Sequence, residues 1–275
     1  MRAIKAIIKR NLTNFIRDKL KLIFSIFMPV FFLFIFSYVM KGASAGIENP
    51  LNYLISGIII MTVFQTSLTN SANILDDIAM GVMKEILVSP ITRWQISIGQ
   101  VLSSSIVAVL QGLIIIVIGF FIGLNINILQ FLEMLGVMVA VGVTFSFIGL
   151  YVATLAKSST TFQVMSSVAI LPLTFLSGAY IPTTAMPNIV LPFVYINPLT
   201  YTTAIFRYIT LKMGGLSSAA LVKSGVAFNV IGFIILPYMG LIIILIMGLL
   251  FFALCVRQFN KADFSKVKVF NPQDN

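Results

Sequence analysis

Long stretches without a charged residue constrain this chain more than any other feature. They lie between consecutive Asp, Glu, Lys or Arg residues at 22–40, 49–75, 94–132, 134–156, 158–206 and 224–256. Each stretch can hold a helix of about 20 residues, which crosses roughly 30 Å of hydrocarbon while satisfying its own backbone hydrogen bonds. Soluble domains carry about 25% charged residues, whereas only 9% of these 275 residues are charged and 59% are hydrophobic. The sequence therefore predicts a polytopic membrane protein.

We expect an all-α fold with six spans in one transmembrane domain. A polar turn at 123–127 ends the third span, and four prolines between 182 and 198 prevent a continuous helix there. The predicted spans are 22–40, 51–75, 96–122, 130–156, 160–180 and 225–254. The remaining segments are 1–20, the loop 76–95, the outer segment 181–223 and the tail 255–275.

The distribution of basic residues predicts the orientation. Of the 18 Lys and Arg residues, all but Lys41, Arg207, Lys212 and Lys223 lie in segment 1–21, the loop 76–95, at 157 or in the tail. Because basic loops stay on the cytoplasmic side, both termini and the loop are expected there, with 181–223 outside. The net charge of +10 then reflects topology and attraction to anionic lipid, and no nucleic-acid partner is expected.

The first 20 residues are predicted to form an amphipathic helix lying in the inner interface. Isoleucine, leucine and phenylalanine recur at helical spacing from residue 4 to residue 16, with basic residues between them. The basic residues of this helix that we single out are Lys5, Lys9, Arg10 and Arg17. The alternative is a charge cluster that serves only to set the topology.

The chain lacks its own source of energy. No G-x-x-x-x-G-K-[ST] nucleotide-binding loop occurs, and no ionisable residue lies near the middle of a predicted span, where carriers driven by protons or sodium usually need one. With no histidine and one cysteine, Cys255, metal clusters, Cys/His nucleophiles and disulfide frameworks are excluded. The adjacent acids Asp76 and Asp77 have no such partner, which disfavours a membrane-embedded hydrolase.

Helix-breaking residues lie inside the predicted spans. Prolines occur at 29, 172 and 237, and glycines at 57, 112 and 149. They have two interpretations, mobile kinks or fixed close packing between helices.

The loop 76–95 mixes both charge signs with apolar residues. Met83, Ile86 and Leu87 share one helical face, and Pro90 ends the short helix. Such a helix on the cytoplasmic side is a docking element for a partner. The alternative is an interfacial loop whose charges are only solvated.

Three segments resemble one family. Residues 81–93 read Gly-Val-Met-Lys-Glu-Ile-Leu-Val-Ser-Pro-Ile-Thr-Arg, which is similar to the first cytoplasmic loop of the type-2 class of ATP-binding-cassette (ABC) exporter permeases. The residues at 176–182, 186–187, 196–201 and 207 resemble that family's segment between the fifth and sixth spans. The third similarity is Arg17-Asp18-Lys19 before the first span with its Pro29. The three occur in the family's order.

This resemblance implies a half-transporter. Two permease chains would pair, as a homodimer, above two separate ATPase subunits, so this chain is not an enzyme by itself. It is expected to bind no cofactor or metal, with ATP and Mg on the partner subunit. The resemblance assigns the ATPase contact to a coupling helix with Gly81, Met83, Lys84, Glu85, Ile86, Leu87, Pro90 and Arg93, and to segment 1–20 as the connecting helix. It assigns a re-entrant segment containing Gly178, Pro182, Asn197, Pro198 and Tyr201.

The substrate pathway is expected along the second and fifth spans. Its candidate polar residues are Gln65, Thr66, Thr69, Asn70, Ser166 and Ser167; the alternative is that they only hydrogen-bond between helices. The phenylalanine-rich first span resembles the drug and antibiotic efflux branch, and a path without fixed charge suits amphipathic or lipid-like cargo. We therefore expect an exporter in the plasma membrane of a prokaryote. An exporter of polysaccharide or lipid-linked glycan and a stand-alone secondary carrier remain as alternatives.

Overall fold

The computed structural model describes residues 2–42, 50–82, 91–156, 158–230 and 232–261, and most of them are helical. The helices are α1 Arg2–Arg17, α2 Lys19–Gly42, α3 Pro50–Asn70, α4 Asn73–Ala79, α5 Arg93–Ile122, α6 Ile128–Leu155, α7 Ser159–Leu176, α8 Leu191–Ile196, α9 Pro198–Thr210, α10 Ser218–Lys223 and α11 Pro237–Lys261. Short 3₁₀ turns occur at Thr183–Ala185 and Met213–Gly215, and two strands at β1 Phe228–Val230 and β2 Phe233–Ile235.

Within these ranges, five helical stretches are long and apolar enough to cross a bilayer. They are Asn52–Ala79, Arg93–Ile122, Ile128–Leu155, Ser159–Leu176 and Pro237–Gln258. The chain is therefore a multi-pass helical membrane protein, as its uncharged stretches predict. Helix α2 coincides with the first predicted span, 22–40, and the total of six spans and the side of the termini stay predictions.

Helix α3 lies at the centre of the bundle. It packs against α2, α5, α6 and α9, and its residues from Tyr53 to Phe64 are buried. The rings of Phe64 and Phe145 meet edge to face, with centroids 4.7 Å apart. By contrast, α7 and α11 keep wide apolar faces exposed, which in a membrane must meet lipid or another chain.

Local sequence signals set several helix ends. Thr92 and Gln95 form a capping box that starts α5, and Asn127 and Gln130 form another that starts α6. Gly123 ends α5 with φ 116°, a conformation that glycine adopts without strain. The turn expected at 123–127 thus combines a helix stop with a helix start.

Segment 225–236 departs from the sequence prediction, which placed it in the sixth span, 225–254. Helix α11 begins only at Pro237, and the preceding residues form an antiparallel hairpin in which Phe228 pairs with Ile235. The backbone N–H groups in the first turn of a helix make no hydrogen bond within the helix, so proline, which lacks this group, is tolerated there. Pro237 therefore starts α11 and does not kink it. An all-α fold is therefore correct for the bundle and wrong for this hairpin.

The three glycines noted in the spans all lie at close contacts between segments. A Cβ added to Gly149 of α6 would lie 2.5 Å from the carbonyl oxygen of Leu68 in α3, and one on Gly112 would meet Met138 at 2.5 Å. A Cβ on Gly57 would overlap the carbonyl oxygen of Ala179. The glycines therefore permit close packing, while α2 and α7 continue through Pro29 and Pro172.

Candidate functional site

A cavity of about 450 Å³ lies between α2, α3 and α7. Hydroxyl, amide and apolar groups line it together, and none of the lining residues carries a charge. These residues are Ser25, Met28, Pro29, Thr62, Gln65, Thr66, Thr69, Ser167, Ile170 and Leu171. The cavity can therefore offer hydrogen bonds and apolar contacts to the same molecule.

Four of the six predicted pathway residues meet at this cavity, namely Gln65, Thr66, Thr69 and Ser167. The other two, Asn70 and Ser166, are each 4% exposed and do not line it. The amide nitrogen of Asn70 and the hydroxyl of Ser166 have no hydrogen-bond partner among the described residues. The structure thus brings the second and fifth predicted spans together at polar side chains, and their role in transport stays a prediction.

A chain of hydrogen bonds joins the wall of the cavity to α5. The Thr66 hydroxyl donates to Oε1 of Gln111, and Nε2 of Gln111 donates to Oγ of Ser25 at 2.7 Å. Thr66 therefore also makes an interhelical hydrogen bond, the alternative role considered for it. Gln111 is not among the residues predicted from the sequence, although its spacing of 11 residues from Gln100, about three helical turns, places both on one face of α5.

A second polar cluster joins α1, α4 and α5. Arg10 of α1 forms an ion pair with Asp77 of α4, and Nε2 of Gln100 in α5 donates to Oδ2 of Asp77 at 3.0 Å. Nδ2 of Asn11 donates to Oε1 of Gln100 at 2.6 Å and to Oγ of Ser103 at 2.8 Å. Nearly all of these groups are buried, so the cluster holds three helices in a fixed arrangement.

The connecting-helix residues divide into two groups. Lys5, Lys9 and Arg17 are exposed on α1, whereas Arg10 turns inward to Asp77. The buried face of α1 packs along α5, where an added Cβ on Gly99 would lie 3.1 Å from Ile7. The amphipathic helix is present over Arg2–Arg17, and its inner face contacts protein.

Most of the predicted coupling helix lies outside the described residues. This applies to Met83, Lys84, Glu85, Ile86, Leu87 and Pro90. Of the other two members, Gly81 follows α4 with φ 78°, and Arg93 is the first residue of α5. Segment 81–93 therefore begins just after α4 and ends at the first residue of α5.

The residues predicted for the re-entrant segment lie in a series of short helices after α7. Asn197 caps α9 by accepting a hydrogen bond from Leu199, and its Nδ2 donates to the carbonyl oxygen of Leu173 at 2.8 Å. Pro198 opens α9, and the hydroxyl of Tyr201 donates to the carbonyl oxygen of Tyr195 at 2.6 Å. These bonds tie α9 to α8 and to the end of α7.

The other two residues of that group, Gly178 and Pro182, lie in the turn that follows α7, next to a buried arginine. Gly178 has φ 81°, and Nη2 of Arg207 donates to the carbonyl oxygen of Ala179 at 2.7 Å. The guanidinium carbon of Arg207 lies 3.4 Å from the centre of the Tyr53 ring. Burial lowers the pKa of Arg207 to about 10, so the side chain is protonated at neutral pH and fastens α9 to α3.

Comparisons with known proteins agree with the family resemblance. A family model described as ABC-2 type transporter matches residues 2–211. The protein ycf38 of Cyanophora paradoxa, which is named as a transport permease, is 27% identical over 225 residues, covering 78% of this chain and 76% of that protein. YbhR of Escherichia coli K12, which is named as a multidrug ABC transporter permease, is 29% identical over 161 residues, covering 56% of this chain and 42% of YbhR.

Proposed function

The chain belongs to the ABC-2 type transporter family, and we propose that it is the membrane-spanning permease subunit of an ATP-driven exporter. It moves an amphipathic drug-, antibiotic- or lipid-like molecule across the plasma membrane of a prokaryote. A separate ATPase subunit, bound at segment 81–93 and at α1, supplies the energy. The name of YbhR supports the drug-like class of cargo.

The uncharged cavity between α2, α3 and α7 is the observation that carries this proposal. An ionic cargo entering it would lose its hydration without finding an opposite charge, at a cost of several kcal/mol. A neutral amphipathic molecule can bury its apolar part against Met28, Ile170 and Leu171 and hydrogen-bond to the hydroxyls and to Gln65. The volume of about 450 Å³ lies in the usual range for small-molecule sites, roughly 300 to 1,000 Å³. A small molecule is therefore favoured over a polysaccharide.

The position of the cavity along the helices supports loading from the inner leaflet. Ser25 lies early in α2, and Thr69 lies at the end of α3, which are the cytoplasmic ends of these helices in the predicted orientation. A lipid-soluble molecule in the inner leaflet would reach the cavity between α2 and α7. Export then requires only that these helices open toward the other side.

The apolar surfaces beside the cavity support a homodimer. Phe24, Phe27 and Phe31 on α2 and Val164 and Val168 on α7 are all exposed. A second copy packed on these faces would enclose the cavity and turn a lateral cleft into a path between two chains. Helix association in lipid depends on close packing of this kind.

The function is tested by reconstituting the permease with its proposed ATPase subunit. Transport of Nile red and of NBD-labelled phosphatidylcholine is measured in proteoliposomes with and without ATP. We expect movement of at least one probe that requires ATP. Movement of a probe without nucleotide would instead identify a stand-alone carrier, and a complex that moves neither probe with ATP would overturn the proposed cargo class.

The role of the cavity is tested with a pair of variants in α7. Ser167→Phe fills the cavity, whereas Ala169→Phe adds the same ring on the opposite side of α7, at an exposed residue that does not line the cavity and is not part of the proposed dimer face. We expect Ser167→Phe to lower transport about tenfold, the cost of a clash of 1 to 2 kcal/mol with the cargo. Equal losses in the two variants would show that transport does not use this cavity.

A further inference from the structure

We propose that Asp76 and Asp77 are positioning residues that make α4 the mechanical joint between segment 81–93 and the wall of the cavity. The inference rests on the proposed function, in which the ATPase moves that segment. It concerns the two adjacent acids of α4, neither of which lines the cavity itself. Because neighbouring residues on a helix point about 100° apart, two consecutive carboxylates can hold two different neighbours of α4.

Asp77 anchors α4 to two long-range partners. Its side chain is 8% exposed and pairs with Arg10 of α1, while Nε2 of Gln100 in α5 donates to it at 3.0 Å. Asn11 closes the cluster by donating to Gln100 and Ser103. A buried carboxylate that loses one such partner is left uncompensated, which is strongly unfavourable. The three helices are therefore expected to move as one unit.

Asp76 points to the other side of α4, toward α7. Its Oδ1 accepts a hydrogen bond from the hydroxyl of Ser159, the first residue of α7, at 2.5 Å. Ser167 of the cavity lies eight residues further along the same helix, or about 12 Å at 1.5 Å per residue. A displacement of the start of α7 therefore reaches the cavity through a continuous helix.

The contacts of Asp76 and Asp77 matter because α4 lies in the chain between α3 and segment 81–93. The helix Asn73–Ala79 follows α3 after a two-residue turn and leads directly into Gly81. Seven residues form only two helical turns, too few for a stable isolated helix. Its orientation therefore depends on what its side chains hold. A pull on segment 81–93 reaches α5 at Arg93, and at its other end it passes into α4, where Asp77 and Asp76 hold the long-range hydrogen bonds to α1, α5 and α7.

The test follows the cavity itself, so it does not depend on knowing the cargo. Ser167→Cys is introduced into the full chain, assembled with its ATPase in proteoliposomes, and its labelling by N-ethylmaleimide is timed with and without ATP. The native Cys255 is buried and provides a low background. We expect ATP to change the labelling rate of Ser167→Cys. A variant with a lost positioning residue should still assemble and hydrolyse ATP at the basal rate, but ATP should no longer change its labelling rate. A variant with a purely structural defect would instead lose assembly or basal hydrolysis.

On the Asp76 side, Asp76→Ala and Ser159→Ala are each added to Ser167→Cys. Both are expected to abolish the ATP-dependent change in labelling, and the double variant is expected to be no worse than either one, since the two groups act through one contact. Asn73→Ala is the matched control because Asn73 is a polar residue of the same helix, α4, and lines a cavity of about 260 Å³ together with Asp76, while the hydroxyl of Ser159 donates to Asp76 and not to Asn73. An ATP-dependent change that persists in Asp76→Ala overturns the proposal.

On the Asp77 side, the charge reversals Arg10→Asp and Asp77→Arg are each expected to abolish the change. The exchange of the two residues in one chain is expected to restore part of it. Should either single reversal fail to assemble, Asp77→Asn keeps the shape of the side chain and gives the same measurement. If ATP does not change the labelling of Ser167→Cys in a chain that keeps Asp76 and Asp77, the result counts against the proposed function. Failure of the proposed function is therefore distinguishable from failure of the proposed role of the two acids.

Discussion

Gly149→Ala is expected to separate the two helices at the centre of the bundle. The added Cβ would lie 2.5 Å from the carbonyl oxygen of Leu68 and 3.0 Å from the Ser71 side chain, where ordinary contacts are 3.4 to 4 Å. No flexible side chain can move aside at Leu68, because the contact is with backbone. Relief of the clash therefore requires α3 and α6 to move apart by about 1 Å or to accept the strain.

The cost of this movement follows from the hydrogen bonds beside Gly149. Ser71 donates to the carbonyl oxygen of Ser146 at 3.0 Å, and Ser146 donates to the carbonyl oxygen of Ser67 at 3.3 Å. A shift of about 1 Å takes both beyond hydrogen-bond length. Two bonds of roughly 0.6 kcal/mol each in a membrane, added to about 2 kcal/mol for overpacking, give a destabilisation of about 3 kcal/mol.

Thermal unfolding in detergent, followed by circular dichroism at a helical wavelength, measures this effect. For a chain of this size, about 3 kcal/mol lowers Tm by roughly 6 to 12 °C. The control is Gly136→Ala in the same helix, where an added Cβ has nothing within 4 Å and alanine favours the helix. A Tm of Gly149→Ala equal to that of Gly136→Ala would refute the close packing of α3 and α6.

Three further predictions use the same melting experiment. Tyr53→Phe should cost about 1 kcal/mol because it loses only the hydroxyl that donates to the carbonyl oxygen of Gly178 at 3.3 Å, and Tyr53→Leu should cost about 2 kcal/mol more because it also leaves the buried Arg207 cation without its aromatic ring; equal losses would exclude the ring as the stabilising group. Asn197→Ser should keep the helix cap and lose the amide donated to Leu173, about 1 kcal/mol, and Asn197→Ala should also lose the cap, for about 2 kcal/mol in total; indistinguishable melting of the two would contradict the capping role. Gln111→Leu should cost about 1 kcal/mol because it removes the acceptor of the Thr66 hydroxyl, whereas the Ser25 hydroxyl still donates to the carbonyl oxygen of Leu22 at 2.8 Å; a wild-type Tm would show that Thr66 finds another acceptor.

The helices could be predicted from the sequence because the bilayer sets their length. A stretch without charge and about 20 residues long has few structures available in hydrocarbon. Helix ends were predictable where a local signal existed, as at Gly123 and Asn127. The start of α11 was not, because hydropathy does not separate an apolar hairpin from an apolar helix, and Pro237 is compatible with either a kink or a first turn.

The contacts of the site were harder to predict than its residues. Polarity within apolar helices indicated Gln65 and Thr66, and the structure places both at the cavity. Helical periodicity grouped Arg10 with the exposed lysines of α1. Periodicity predicts which face of a helix a residue lies on, but it does not predict which residue of another helix it contacts. Its partner Asp77 is 67 residues away in the chain, and no local rule joins residues at that separation. Long-range pairs of this kind depend on how the helices pack.

The placement of charge within the bundle links these features. Among the described residues, the buried charged side chains are Asp77 and Arg207. Arg207 contacts Tyr53 near the start of α3, and Asp77 lies in α4 just after its end, so that the two charges brace opposite ends of one central helix. Charge is least costly near the ends of a span, and the middle of α3 can then present neutral hydroxyls and amides to the cavity. A helix held at both ends is expected to move as a whole, so α3 gives the proposed joint at α4 a second connection to the uncharged cavity, beside the one through Ser159 and α7.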